Sequence, residues 1–272
     1  MKKMEMKDIT HNLRVKIYPD GSRDYLCASL NIFREAGWEL TDKWDTEPRE
    51  ATGETDKADS LARAKRRARN ALRDIALSNL DFSHFVTLTL DAAHVDRYDP
   101  KSIIRKLNTW ADNQVRRKGL KYILVPEYHK DGAVHFHGLI NAALPLVASG
   151  AYSLRGGGKP RKPRSAAQRT QWLAEGAQPV YNLPAWKLGY TTAIPLYGER
   201  SAAIGYVCKY IAKAQDKIGG RWYYSGGDLA RPLIELYDID YAAVATGGGD
   251  AFDIPALNCR CITWREEVAN DD

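Results

Sequence analysis

The sequence lacks an apolar leader. Its opening residues, MKKMEMKDIT, contain no hydrophobic stretch of the kind that directs a chain into the secretory route. No run approaches the roughly 20 apolar residues that span a bilayer, and the apolar stretch after Leu139 is broken by Asn141, Pro145 and Ser149. Cysteine is scarce. The four present, Cys27, Cys208, Cys259 and Cys261, show no disulfide-framework spacing. Cys259 and Cys261 flank Arg260 with no second pair, which argues against a zinc site. No GxxxxGK[ST] phosphate loop occurs, so an appended helicase is not expected, and there is no internal repeat. These absences lead to the expectation of a soluble, cytoplasmic protein with reduced thiols and no membrane partner.

What remains is an ordinary globular composition with a basic bias. The 272 residues suffice for one large domain, or one domain with a sizeable insertion, and 44% hydrophobic content allows a real core. Forty Lys and Arg oppose 34 Asp and Glu, a net charge of +6 that suits a polyanion such as nucleic acid.

The pattern along the chain predicts an α+β fold. Residues 11–38 read as short strands around the turn Pro19-Asp20-Gly21, and 41–56 as a polar loop. Residues 57–79 read as a helix, with Leu61, Ala64, Ala68, Leu72 and Ile75 at helical spacing. Between them lie Arg63, Lys65, Arg66, Arg67, Arg69 and Arg73, with no acid from Leu61 to Arg73. Such a stripe is either a solvated face or a phosphate-facing surface, and unpaired like charges favour the latter. Residues 84–90 alternate as a strand, with Phe85, Thr87 and Thr89 on one side. Residues 101–118 read as an amphipathic helix ending at Gly119. Strands follow at 121–128 and 133–140. The stretch 141–185 contains RGGGKPRKPR (155–164) and reads as a basic insertion, mobile or ordered by DNA. A helix at 199–215 and strands at 222–225, 233–237 and 259–264 complete the expectation.

His135 and His137 are separated by one residue, so on a strand both imidazoles share a face. An isolated H-x-H is weak evidence of a metal site. The hairpin around it adds to the case. If Lys130-Asp131-Gly132 forms a three-residue loop with glycine in the left-handed position, His129 pairs with Ala133 and Glu127 lies opposite His135. Glu127, His135 and His137 would then be three ligands for a divalent metal, with positions left open for a phosphate oxygen. A two-residue Asp131-Gly132 turn would instead set Tyr128 opposite His135. His129 reads as a bystander in the turn.

Tyr206, Lys209, Tyr210 and Lys213 recur at i, i+3, i+4 and i+7 and form one helical stripe. Tyrosines at this spacing are commonly core-edge residues. Here a lysine follows each one. An ammonium favours a neighbouring phenolate and offsets charge on a phosphate. Two tyrosines one turn apart can attack in alternation.

Taken in order, three segments resemble the HUH-type rolling-circle replication initiators of single-stranded DNA phages and plasmids. FVTLTL (85–90) resembles the family's first motif. HFHGLI (135–140) is similar to its His-hydrophobic-His motif, and YVCKYIAK (206–213) to its two-tyrosine motif. The motifs span residues 85 to 213. Conjugative relaxases usually place the tyrosine before the histidines, and here it follows. The resemblance implies a central antiparallel sheet of about five strands flanked by helices, in a single domain over 1–272. It implies His135 and His137 as ligands of Mg²⁺ or Mn²⁺, Tyr206 and Tyr210 as nucleophiles, and Lys209 and Lys213 as assistants. The implied reaction nicks single-stranded DNA at a replication origin, expected to be a hairpin, leaving a 5′-phosphotyrosine and a free 3′-OH for a host polymerase. A host helicase would be recruited. Three other readings compete. A histidine-triad nucleotide hydrolase needs a third histidine where Leu139 stands. A non-catalytic origin-binding protein would not need the lysine-flanked tyrosines. An HUH transposase would differ only in substrate.

Overall fold

The computed structural model describes residues 10–34, 54–154, 158–196, 200–254 and 257–267. Most of the loop expected at 41–56 lies outside the described residues. The chain begins with β1 (Thr10–His11), β2 (Leu13–Ile17), β3 (Arg23–Ala28) and β4 (Phe33–Arg34). There follow α1 (Glu54–Ser78), β5 (Phe82–Thr89), α2 (Pro100–Lys118), β6 (Tyr122–Tyr128) and β7 (Val134–Asn141). Next come β8 (Val147–Ser153), α3 (Ala166–Ala174), β9 (Gln178–Asn182), β10 (Thr191–Pro195) and α4 (Arg200–Lys213). The last elements are β11 (Tyr224–Gly226), β12 (Leu233–Tyr237), α5 (Tyr241–Ala245), β13 (Asp250–Ile254) and β14 (Cys259–Glu266). Among the described residues no helix is long and apolar enough to cross a membrane. The α+β class expected from the sequence is the class observed.

Where composition suggested one domain, the chain divides into two compact units, one of residues 1–52 with 231–272 and one of 53–230. In the first, the two ends of the chain share a five-stranded antiparallel sheet in the order β12-β2-β3-β14-β13. The β2–β3 turn is the expected one: Gly21 adopts φ +82°, and the Asp20 carboxylate accepts from Ser22 N at 2.9 Å. Leu13, Val15 and Cys27 form the core of that sheet.

The second unit carries a seven-stranded antiparallel sheet, ordered β11-β6-β7-β5-β10-β9-β8. One face holds Val86, Leu88, Leu124, Phe136 and Ile140, which pack with Ile103, Leu107 and Trp110 of α2. That helix begins where Asp99 accepts from Lys101 N and Ser102 N, and ends at Gly119 with φ +69°. On the other face α4 lies against β6 and β7, and α1 lies against α4. Leu72, Ile75, Val207 and Ile211 are fully buried. Burial at the C-terminal half of α1 is tighter than at its start, where Leu61 is exposed.

Two features differ from the sequence reading. The sheet has seven strands rather than five, because the short β10 pairs along β5 from Thr191↔Leu88 to Pro195↔His84 and makes β5 an interior strand. Residues 141–185 carry β8, α3 and β9 where mobile chain was expected. Its glycines occupy only a short part, and the flanking chain has partners: Arg161 and Tyr152 exchange backbone bonds of 2.8 and 3.0 Å, while Ser165 caps α3 by accepting from Gln168 N at 3.1 Å.

Gly138 sits where β7 approaches β6, and a Cβ there would lie 1.8 Å from the Ile123 carbonyl oxygen. Gly138→Ala is therefore expected to force the two strands apart and cost about 2 kcal/mol or more. Thermal unfolding should show a Tm roughly 4–8 °C lower; an unchanged Tm would contradict the close approach.

Candidate metal centre and tyrosine pair

The β6–β7 hairpin adopts the register that brings three ligands together. His129 N donates to Ala133 O at 2.7 Å, Gly132 takes φ +85°, and Glu127 pairs with His135. The alternative turn, with Tyr128 opposite His135, is not the one formed. His135 Nε2 lies 3.2 Å and His137 Nε2 3.1 Å from the same Glu127 oxygen. The donor atoms of Glu127, His135 and His137 all lie within 4.8 Å of one another, so this group can hold a metal ion. His137 Nδ1 is 3.1 Å from Thr87 Oγ1 on β5. That contact leaves Nε2 to face the carboxylate, which is how a neighbouring polar group fixes a ligand's ring.

Electrostatics favour metal-ready imidazoles. Burial pushes the His135 pKa down, partly offset by Glu127. Burial, and then the neighbouring His135, lower His137 to about 3. Near neutral pH both rings are uncharged and present lone pairs without first losing a proton. Two nitrogens and a carboxylate fit a divalent ion that accepts mixed ligands; Mn²⁺ suits them, and Mg²⁺ leans more on oxygen.

Helix α4 delivers the tyrosines to this cluster. Ile204, Val207 and Ile211 are buried, which orients the helix and leaves Tyr206 and Tyr210 at its edge. The Tyr210 ring stacks on His137, centroids 4.0 Å apart and planes at 11°. Its hydroxyl donates to Tyr206 Oη at 2.9 Å. Tyr206 meets Phe85 edge-on at 5.4 Å. Phe85 and Thr87 were legible as one face of a strand; their contacts with Tyr206 and His137 were not.

In the protein alone the lysines do not bring the Tyr210 phenol down. Lys209 and Lys213 are exposed and have no hydrogen bond or ion pair among the described residues. The Tyr210 phenol is shifted upward, first by burial and then by its hydrogen bond to Tyr206. On α1, Arg63, Arg66, Arg67 and Arg69 are exposed, while Lys65 and Arg73 are half-buried. The Lys65 ammonium lies 5.5 Å over the Trp222 ring. His129, at the turn, contacts Asp131 at 3.2 Å and is not among the three converging ligands. The four cysteines are free thiols.

Residues 83–215 match the family model of replication-associated proteins of the ORF2 type. No curated protein and no solved structure matches the chain. The matched stretch contains β6, β7 and α4 with nearly all of β5, and with them all three ligand candidates and both tyrosines. The match supports a replication initiator that acts on DNA.

Isothermal titration with Mn²⁺ tests the centre directly. His135→Ala and Glu127→Ala should each abolish most of the binding heat, and Thr87→Val should weaken affinity roughly tenfold by freeing the His137 ring. Equal affinity in wild type and all three variants would rule out the three-ligand assignment.

Proposed function

We propose that the protein is a two-tyrosine, HUH-type rolling-circle initiator that nicks and rejoins single-stranded origin DNA. The observation that carries this reading is the Tyr210 ring lying 4.0 Å from His137, with Tyr206 hydrogen-bonded behind it. One tyrosine pair and one ligand cluster share a face, although 69 positions of chain separate His137 from Tyr206. The family match over 83–215 supports the same reading.

Glu127, His135 and His137 would hold Mg²⁺ or Mn²⁺, which when bound draws charge from a non-bridging oxygen of the scissile phosphate. A tyrosine hydroxyl attacks phosphorus in line. The new O–P bond forms as the P–O3′ bond breaks, and the phenolic proton is balanced by protonation of the departing 3′ oxygen. The products are a 5′-phosphotyrosine and a free 3′-OH. The hydroxyl suits extension by a host polymerase, with unwinding by a host helicase. In the second transfer, the other tyrosine cleaves the regenerated origin, and the 3′-OH so released attacks the first phosphotyrosine and closes the displaced strand. Lys209 and Lys213, exposed in the protein alone, are placed to meet phosphate when DNA arrives.

The exposed arginines of α1 extend the surface for DNA. Neutralising phosphates releases counterions, so each lost contact lowers the slope of affinity against salt by roughly 0.7–0.9. Arg66→Glu with Arg67→Glu should weaken binding of single-stranded DNA and lower that slope by about 1–2, measured by fluorescence anisotropy across a salt series. An unchanged slope would remove α1 from the interface.

The chemistry itself is tested by denaturing electrophoresis after incubation with cognate origin strand and Mn²⁺. A slower protein band should appear, persist through denaturation, and vanish in the Tyr206→Phe/Tyr210→Phe double variant. A band that survives the double change would sink the nucleophile assignment. A wild-type protein that binds DNA but yields no band with any strand of its replicon would favour a non-catalytic origin-binding protein.

A further inference from the structure

We infer that Tyr190 is a stacking platform for a nucleobase next to the scissile phosphate. The inference rests on the single-stranded DNA reading above and adds a specific contact to it.

The position follows from strand pairing. Glu127 pairs with His135, and His135 pairs with Thr89. Thr89 N donates to Tyr190 O at 2.8 Å. Glu127, His135, Thr89 and Tyr190 therefore form one row across four neighbouring segments. Residues paired in a row share a face. The adjacent pairs agree. Thr192 lies opposite Thr87 on the ligand face, whereas Ala193 lies opposite Val86, and Ala193 and Val86 both belong to the core under α2. Two strand spacings separate His135 from Tyr190, about 10 Å. Between them the row holds only Thr89, a short side chain.

The backbone beneath Tyr190 is fixed. Gly189 lies so close to β5 that a Cβ would be 2.3 Å from Thr89 O. Leu188 O accepts from Asp91 N at 2.8 Å, and Trp186 Nε1 donates to Thr89 O at 3.0 Å. Trp186 is itself buried and meets Trp110 edge-on at 4.9 Å. On this rigid base the Tyr190 side chain is 73% exposed, the most exposed large apolar side chain among the described residues. It has no hydrogen bond or ring contact among them. A single exposed aromatic is ordinary on a protein surface; one standing in the ligand row is not placed by packing.

A nucleobase is the occupant this position fits. A strand whose phosphate sits at Glu127, His135 and His137 must carry its flanking bases over the neighbouring part of the same face, which is Thr87, Thr89, Thr192 and Tyr190. Every base offers a π-face, so an aromatic platform anchors the strand with little sequence preference. A fixed backbone and only two side-chain torsions keep the ordering cost of a tyrosine small.

The test uses the full chain and a mixed-sequence single-stranded oligonucleotide of about 20 nucleotides, in chelator so that no transfer occurs. Tyr190→Ala should weaken binding about tenfold, while Tyr190→Phe should stay within about twofold of wild type. Scanning an abasic residue along the strand should reveal one position where the Ala variant and wild type bind alike, since the stacking partner is then gone from both sides. Equal affinity of wild type and Tyr190→Ala, or a loss in Tyr190→Phe as large as in Ala, overturns the platform. So does the absence of any such abasic position. If the covalent adduct forms but Tyr190→Ala binds normally, the nicking reading stands and the platform falls. If binding depends on Tyr190 but no adduct ever forms, the platform stands and the nicking reading falls.

Discussion

The register of a single hairpin decides whether this protein has a site at all. In a strand the side chains alternate, so a slip of one residue between β6 and β7 would turn Glu127 away from His135 and His137. Several interactions hold the register. Gly132 takes a left-handed conformation at φ +85°, and Asp131 accepts from Ala133 N at 3.0 Å. The Arg97 carbonyl accepts from Val134 N at 3.0 Å. Further along, glycine at 138 leaves room for the Ile123 backbone. The opposite face of β7 adds the largest penalty. Val134, Phe136 and Ile140 are buried there, and exposing each would cost about 1.5–3 kcal/mol. The polar face is therefore set by the apolar one.

The same logic places the tyrosines. Helix α4 is seated by Ile204, Val207 and Ile211, all buried. With about 100° between successive residues, fixing those three also fixes Tyr206 and Tyr210 at the helix edge. The spacing of four residues then sets one tyrosine against His137 and the other against Phe85. Such ring pairs contribute about 0.5–1.5 kcal/mol beyond buried area. They are small beside the core contacts and refine a position that burial has already chosen.

Most of this was legible because it is local. The hairpin register follows from one loop of three residues, and the helical stripe from spacing alone. The interior position of β5 was not legible, since β10 is a five-residue segment containing Pro195 whose partner lies more than a hundred residues earlier. The structure within 141–185 was obscured by its glycine and basic composition, although Ser165 at a helix start and the Tyr152–Arg161 bridge supply real partners. The separate sheet formed by the two chain ends was likewise hidden: β2 and β3 were readable as strands, and β12 and β14 as others, but nothing in their patterns says that they pair with one another. The state of the Tyr210 phenol was hidden for a different reason. Sequence spacing puts an ammonium near a phenol, but exposed lysines act through water and are heavily screened, whereas burial acts on Tyr210 directly.

That last point bears on how the proposed chemistry would be controlled. In the protein alone Tyr210 is held protonated by burial and by donating to Tyr206, so the pair rests unreactive. The imidazoles are the reverse: burial keeps them neutral and ready to bind a cation. Binding adds positive charge next to the Tyr210 ring, through His137, and positive charge favours a phenolate. DNA adds phosphate, which exposed Lys209 and Lys213 can meet. On the proposed reading the nucleophile gains strength only when both cation and strand are present, because the groups that oppose ionisation are built into the fold and those that favour it arrive with the substrate.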